Sequence, residues 1–206
     1  MEELKNAKYN EKLVFSECQS GFDGRILTQD LAIRIKEARF INPRIAWDNS
    51  YDDYEDIEKQ IRLLINAGYK PKEIYIFMVY NFKIPFEIME AKRKKCYEWG
   101  VQIADCRYRP LNQTFDNYIP SKNNQTNKEY FIHSIWEDKQ VKLFRANIRK
   151  QNICIRHDFP FYSKLLEHKS SKNLPIKKIK ELVNINEKIN LLKKHNIDYW
   201  LPNNNE

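Results

Sequence analysis

Glycine is scarce in this chain, with four in 206 residues. That scarcity argues against one class of site at once. A Rossmann G-x-G-x-x-G or a P-loop G-x-x-x-x-G-K-[ST] needs several glycines in one short turn, and neither motif follows any predicted strand. Cysteine is equally sparse. Cys18, Cys96, Cys106 and Cys154 lie far apart, form no C-x-x-C pair and accompany no secretion signal, so reduced thiols are expected. The C-x-x-H spacing of Cys154 and His157 is a single pair without further ligands nearby, so no metal site built by this chain alone is expected. No apolar run approaches the ~18–20 residues of a membrane span. The opening MEELKNAKYNEKLVF has no apolar core of signal-peptide type. A cytoplasmic protein with no membrane partner is the expectation.

Acid is the minority charge, with 28 Asp and Glu against 36 Lys and Arg and a net charge of +8. Basic chains attract phosphates. Much of this excess, however, lies in Lys92-Arg93-Lys94-Lys95 and after Lys164, where solvated helix faces are expected. Hydrophobic residues at 42% and aromatics at 13% supply a globular core rather than disorder.

Periodicity then organises the chain. Leu13–Cys18 reads as a first strand, followed by the turn QSGFDGR and a helix through Leu31, Ile33, Ile35 and Ala38 that Thr28 can cap. Arg44–Trp47 is a second short strand. Ile57, Ile61, Leu64 and Ile65 recur at helical spacing, with Gly68 just past the end. Ile74–Tyr80 is a continuous apolar run of the kind buried on both faces in parallel sheets. A helix over 85–99, closed by Gly100, leads to a fourth strand, Val101–Arg107. Four strands joined by three helices make consecutive βαβ units, which belong either to an open doubly wound sheet or to half of a barrel.

Beyond Pro110 the texture changes. Residues 111–128 read as a long polar loop. Ser134 can cap a helix through Val141, Leu143, Phe144 and Ile148, and a compact aromatic stretch follows. From Pro175 a Lys-rich helix is expected to run to about His195. The predicted organisation is a partial α/β barrel over 1–110, a loop and helical extension over 111–170, and a Lys-rich helix within 171–206.

In parallel α/β folds, ligands sit where the loops converge at the carboxyl ends of the strands. Those positions hold Asp23 and Arg25, Asp48 and Asn49, Asn81, and Arg107, Tyr108 and Arg109. Each has a structural reading too: Asp23 and Arg25 can pair across a turn, and Asp48 can cap the next helix. The basic and aromatic stretch from Arg156 to Lys169, with Phe159, Phe161 and Tyr162, could clamp a polynucleotide or form a small satellite core.

These residues carry a family resemblance. SGFDGRILT, the strand-plus-acid RIAWDNS, the helix ending LLINAGYKP, then IYIFMVYNF, a helix ending WGV, and later WEDKQVKLFRANIRKQNICIRHDFPFYS resemble the C-terminal part of radical SAM proteins. The match spans about Val14 to Lys169, and the closest group is iron–sulfur oxidoreductase-like. The resemblance implies half of a parallel (β/α) barrel of about four strands with a C-terminal helical extension. It also implies S-adenosylmethionine held against a [4Fe–4S] cluster, with Asp23, Arg25, Asp48 and Asn81 as cofactor-facing positions. The family's cluster loop, C-x-x-x-C-x-x-C, is absent, and Asn81 stands where the family has a glycine. The expected partner is therefore an N-terminal half that supplies the cluster, from a separate polypeptide or a longer reading frame. A degenerate descendant kept for binding is the third account. The alternative function is a non-catalytic basic module for nucleic acid.

Overall fold

The computed structural model describes residues 2–164 and 184–203. It divides into two compact units, Met1–Ile148 and Arg149–Glu206. The first opens with a short helix, α1 (Glu2–Asn6), and a two-strand antiparallel hairpin, β1 (Lys8–Tyr9) and β2 (Lys12–Leu13). Asn10 and Glu11 both have positive φ, 47° and 63°, as a two-residue turn requires when its twist matches that of the strands.

The centre is a three-stranded parallel sheet in the order β3 (Arg44–Ala46), β4 (Tyr75–Tyr80), β5 (Gln102–Arg107). Its strands are linked by α3 (Tyr54–Asn66) and α4 (Phe86–Glu98), with α2 (Gln29–Glu37) preceding β3. Thr28 caps α2, its hydroxyl accepting the Leu31 N–H at 3.2 Å. Gly68 and Gly100 end α3 and α4 at φ 97° and 70°, the left-handed conformation that glycine adopts without strain.

The expected first strand, Leu13–Cys18, does not form. Only Lys12–Leu13 joins a ladder, in the hairpin. Ser16 makes a single parallel bridge to Phe40, and Phe22 another to Ile45. The reason is burial: Leu13 and Phe15 are exposed, so nothing rewards extending the pairing.

Among the described residues, the helices pack on one face of the sheet. Residues paired across parallel strands share a face, so Ile45, Ile76 and Ile103 point one way and Ala46, Phe77 and Ala104 the other. The first set is buried in one cluster with Ile57, Ile61 and Leu64 of α3, Met89 and Cys96 of α4, and Ala32 and Ile35 of α2. The second set, with Val79, is only half-buried and belongs to no buried cluster. The apolar run in β4 is thus not buried on both faces, as its sequence suggested. It alternates, because every packed helix lies on the same side.

Residues 111–128 form a loop secured by its own bonds. Buried Gln125 donates to the Asn117 carbonyl at 2.8 Å and accepts the Ile119 N–H at 2.9 Å, and Asn117 N–H donates to Glu129 O at 2.8 Å. The following helix, α5, runs over Asp138–His157. It begins four residues after the expected Ser134 cap and absorbs the QNICIRH segment, because Cys154 and Ile155 continue its buried stripe.

The division between units falls within α5. In the second unit, Phe161 is 1% exposed and packs with Leu192 of α6 (Ile185–Lys194). Among the aromatics expected to stack, Phe161 and Tyr162 are therefore core, and Phe159 is stacked on His157 at 5.7 Å. The part of the expected Lys-rich helix before residue 184, and positions 165–169 of the basic and aromatic stretch, lie outside the described residues. No described helix is long and apolar enough to cross a membrane.

Candidate functional site

At the carboxyl end of β3 a cleft of about 540 Å³ opens between the 20–25 loop, the 46–49 turn and α3. The loop reaches the strand because Phe22 N–H donates to Arg44 O at 2.7 Å and because Gly21 takes a positive φ of 86°. A Cβ at Gly21 would lie 3.2 Å from the same carbonyl oxygen. Arg44 steadies the loop from beneath, bonding Gln19 O at 2.8 Å and the Glu17 carboxylate at 2.6 Å.

Three of the four predicted site residues, Asp23, Arg25 and Asp48, line this cleft. Asp23 and Arg25 meet as a two-point pair, Nε to Oδ1 at 2.9 Å and Nη2 to Oδ2 at 2.8 Å. The guanidinium and its backbone N–H hold the Asp23 carboxyl down at about 2. Asp48 does not cap the next helix. Ser50 does so instead, its hydroxyl accepting the Asp52 N–H at 3.1 Å. The Asp48 side chain is exposed, with no hydrogen bond among the described residues. Asp53 and Asp56 complete a lining with four acids against the single cation Arg25. On the α3 wall Gln60 Oε1 is buried without a hydrogen-bond partner, facing Gly24.

The fourth predicted residue, Asn81, lies outside this lining. It is fully buried, its amide donating to Phe131 O at 2.8 Å while its carbonyl accepts His133 N–H at 3.0 Å. At φ 59° it takes the left-handed conformation that asparagine tolerates better than most residues. It clamps the 131–133 segment to the end of β4. Arg107 and Arg109 both turn to Asp116, at 2.6 and 3.6 Å, and Tyr108 stacks on Phe82 at 4.1 Å.

The residue that sequence reasoning missed is Lys92. The run 92–95 was read as solvated, yet Lys92 and Arg93 are both 0% exposed. Arg93 pairs with Glu90 at 2.8 Å. The Lys92 ammonium donates to the Trp47 carbonyl at 3.1 Å and to the Asn49 carbonyl, and it lies 5.0 Å from the centre of the Trp47 ring. It thus grips the turn that presents Asp48 from behind. Burial drives its pKa down to about 8, against the opposing pull of Asp48 and Asp53. A signal existed: Met89, Lys92, Arg93 and Cys96 share one helical stripe, and Met89 and Cys96 are core. The Trp47 indole closes the turn, donating to Ser50 O at 2.9 Å.

The donor set for a metal cluster is missing. Among the described residues no group of three His, Cys, Asp or Glu is placed to hold a metal ion. Cys96 and Cys154 are buried, with burial raising both thiols, Cys154 to about 12, and Cys18 donates to Gly21 O at 3.2 Å. These residues do not fit a [4Fe–4S] cluster. No family model, curated protein or solved structure matches the chain.

Proposed function

We propose that this chain is the C-terminal part of a radical SAM-type barrel. In this reading the cleft of Asp23, Arg25 and Asp48 receives S-adenosylmethionine, and a second polypeptide segment supplies the iron–sulfur cluster. The observation that carries the reading is the one-sided sheet. A doubly wound fold places helices on both faces, whereas a barrel wall has helices outside and an apolar inner face that only further strands cover. Here Ala46, Phe77, Val79 and Ala104 form such a half-buried face, and the polar cleft sits at the carboxyl end of β3.

The cleft chemistry suits the ligand. S-adenosylmethionine carries a sulfonium and an ammonium, which Asp48 and Asp53 attract beside the Asp23–Arg25 and Asp56–Lys59 pairs, and a carboxylate that Arg25 can meet by leaving Asp23. The carboxylate of Asp48 can accept hydrogen bonds from vicinal ribose hydroxyls, and Gln60 Oε1 lacks a donor that the ligand would provide. The residues of this chain bind and orient it. Equilibrium dialysis with labelled S-adenosylmethionine tests the reading. Saturable binding is expected, weakened about tenfold by Asp48→Asn. Its absence, both alone and with a co-expressed segment carrying C-x-x-x-C-x-x-C, would sink the proposal.

A further inference from the structure

The second unit contains a hollow of about 380 Å³ that the reading above leaves unused. Two of its walls are joined through the backbone: Tyr162 N–H donates to Trp200 O at 2.9 Å, and Trp200 N–H to Tyr162 O at 2.8 Å, as an antiparallel bridge. The cluster of Phe161 and Leu192 packs partly buried Tyr199 and Ile197, which also line the hollow. The space is therefore built on a core rather than between loose side chains.

Two lysines line it. Lys150, half-buried on α5, holds its ammonium 5.6 Å from the Trp200 ring centre, and exposed Lys164 lies on the same rim. Neither makes an ion pair among the described residues. Burial and the like charge of Lys164 both push the Lys150 pKa down. Asp198 is the single acid among the described lining residues, and Ser163 is a buried hydroxyl.

Two unpaired cations, one of them partly desolvated, call for an anion with about two charges. The Trp200, Tyr199 and Tyr162 rings call for a flat apolar body. The volume lies within the ~300–1,000 Å³ range of small-ligand sites. A phosphate monoester carries about −1.5 to −2 at neutral pH, and a nucleoside supplies both the flat base and hydroxyls for Asp198 and Ser163. We propose that this hollow binds a nucleoside monophosphate unit, with the phosphate between Lys150 and Lys164 and the base against the Trp200 and Tyr199 rings. The inference does not depend on the cleft of the first unit. A free mononucleotide and the 5′-terminal nucleotide of a single strand share this chemistry.

Calorimetry on the full chain at low salt tests it with AMP, adenosine, inorganic phosphate, and a tetranucleotide with and without a 5′-phosphate. AMP is expected to bind, with adenosine and phosphate each at least about tenfold weaker. Lys164→Ala, at an exposed site, should weaken AMP about tenfold with an unchanged circular dichroism spectrum. Lys150→Met should do the same where it folds, and Asp48→Asn should have no effect. Tighter binding of AMP than of the phosphorylated tetramer identifies a free nucleotide, and the reverse order identifies a strand end. AMP failing to bind at about 1 mM, adenosine or phosphate matching AMP, or Lys164→Ala binding like the parent would each overturn the proposal.

Discussion

Lys92→Met removes the buried ammonium and keeps the apolar stem, so it isolates what that charge does. Loss of the donor to the buried Trp47 carbonyl costs about 1–3 kcal/mol, and loss of the donor to Asn49 O about 1 kcal/mol. The neutral amine keeps both donors, so at high pH the variant is less stable than the parent by about 3 kcal/mol. A pKa lowered from 10.5 to about 8 means that charging the amine in the fold costs about 3 kcal/mol, net of the ammonium's attraction to the Trp47 ring and the carbonyls. Parent and variant should therefore differ little at pH 7. The pH dependence is sharper. Between pH 8 and 10.5 the folded protein has released the Lys92 proton while the unfolded chain still holds it. The unfolded state then binds more protons, and parental stability rises with pH by about 1.4 kcal/mol per unit. Other titrations cancel in the difference between the two proteins. The gap between parent and variant, read from urea unfolding at pH 7, 8, 9 and 10, should therefore open from near zero toward about 3 kcal/mol as pH approaches 10.5. A gap that stays flat or narrows over that window refutes the depressed lysine. A variant as stable as the parent at pH 10 refutes the grip on the turn.

Asn81→Ala leaves the Phe131 carbonyl and the His133 N–H without partners at a left-handed position, so a loss of about 3 kcal/mol is expected. Asn81→Gly should recover only the backbone part, and a glycine variant matching the parent in urea midpoint would show that the clamp contributes nothing. Arg25→Ala should let the Asp23 carboxyl return from about 2 toward 3.8 in a carboxyl NMR titration. Because the pair is exposed, the urea midpoint should not move measurably; a carboxyl titration midpoint still near 2 would place the cause elsewhere. Trp136→Phe removes the indole donor to the Phe82 and Ile84 carbonyls, at 3.1 and 2.9 Å, and should cost about 1–3 kcal/mol by thermal melting. An unchanged melting temperature would count against it.

The features that could be read from the sequence are those with local causes. Thr28, Gly68 and Gly100 punctuate helices through bonds and dihedrals within one turn of themselves. The segments of β3, β4 and β5 are short apolar runs between such signals. Asp23 and Arg25 come to Asp48 through the single parallel bridge of Phe22 to Ile45, not through the predicted first strand, which does not form. What escaped was set by distant partners. Lys92 is buried because it finds carbonyls 43 and 45 positions earlier in the chain, and no local pattern separates it from partly exposed Lys94 beyond the stripe it shares with Met89 and Cys96. Asn81 is likewise fixed by residues 50 and 52 positions later. The one-sidedness of the sheet is invisible in IYIFMVY, where both alternating sets are apolar; the handed crossovers decide which set the helices cover.

Charge separates the two ligand proposals. The chain is basic by +8 overall, yet the described lining of the cleft at the end of β3 leaves Asp48 and Asp53 outside the Asp23–Arg25 and Asp56–Lys59 pairs, so its local field opposes the global one. A polyanion drawn to the surface by net charge meets repulsion at that cleft, whereas a sulfonium or an ammonium is attracted into it. The hollow of the second unit has the opposite sign, with Lys150 and Lys164 against Asp198. Both attractions are between unlike charges, so added salt should weaken both, and salt dependence cannot tell the two sites apart. Mutation can. Asp48→Asn should weaken S-adenosylmethionine and leave AMP unaffected, and Lys164→Ala should do the reverse. If either substitution weakened both ligands equally, the two would be sharing one site, and the assignment of opposite charges to separate cavities would fail.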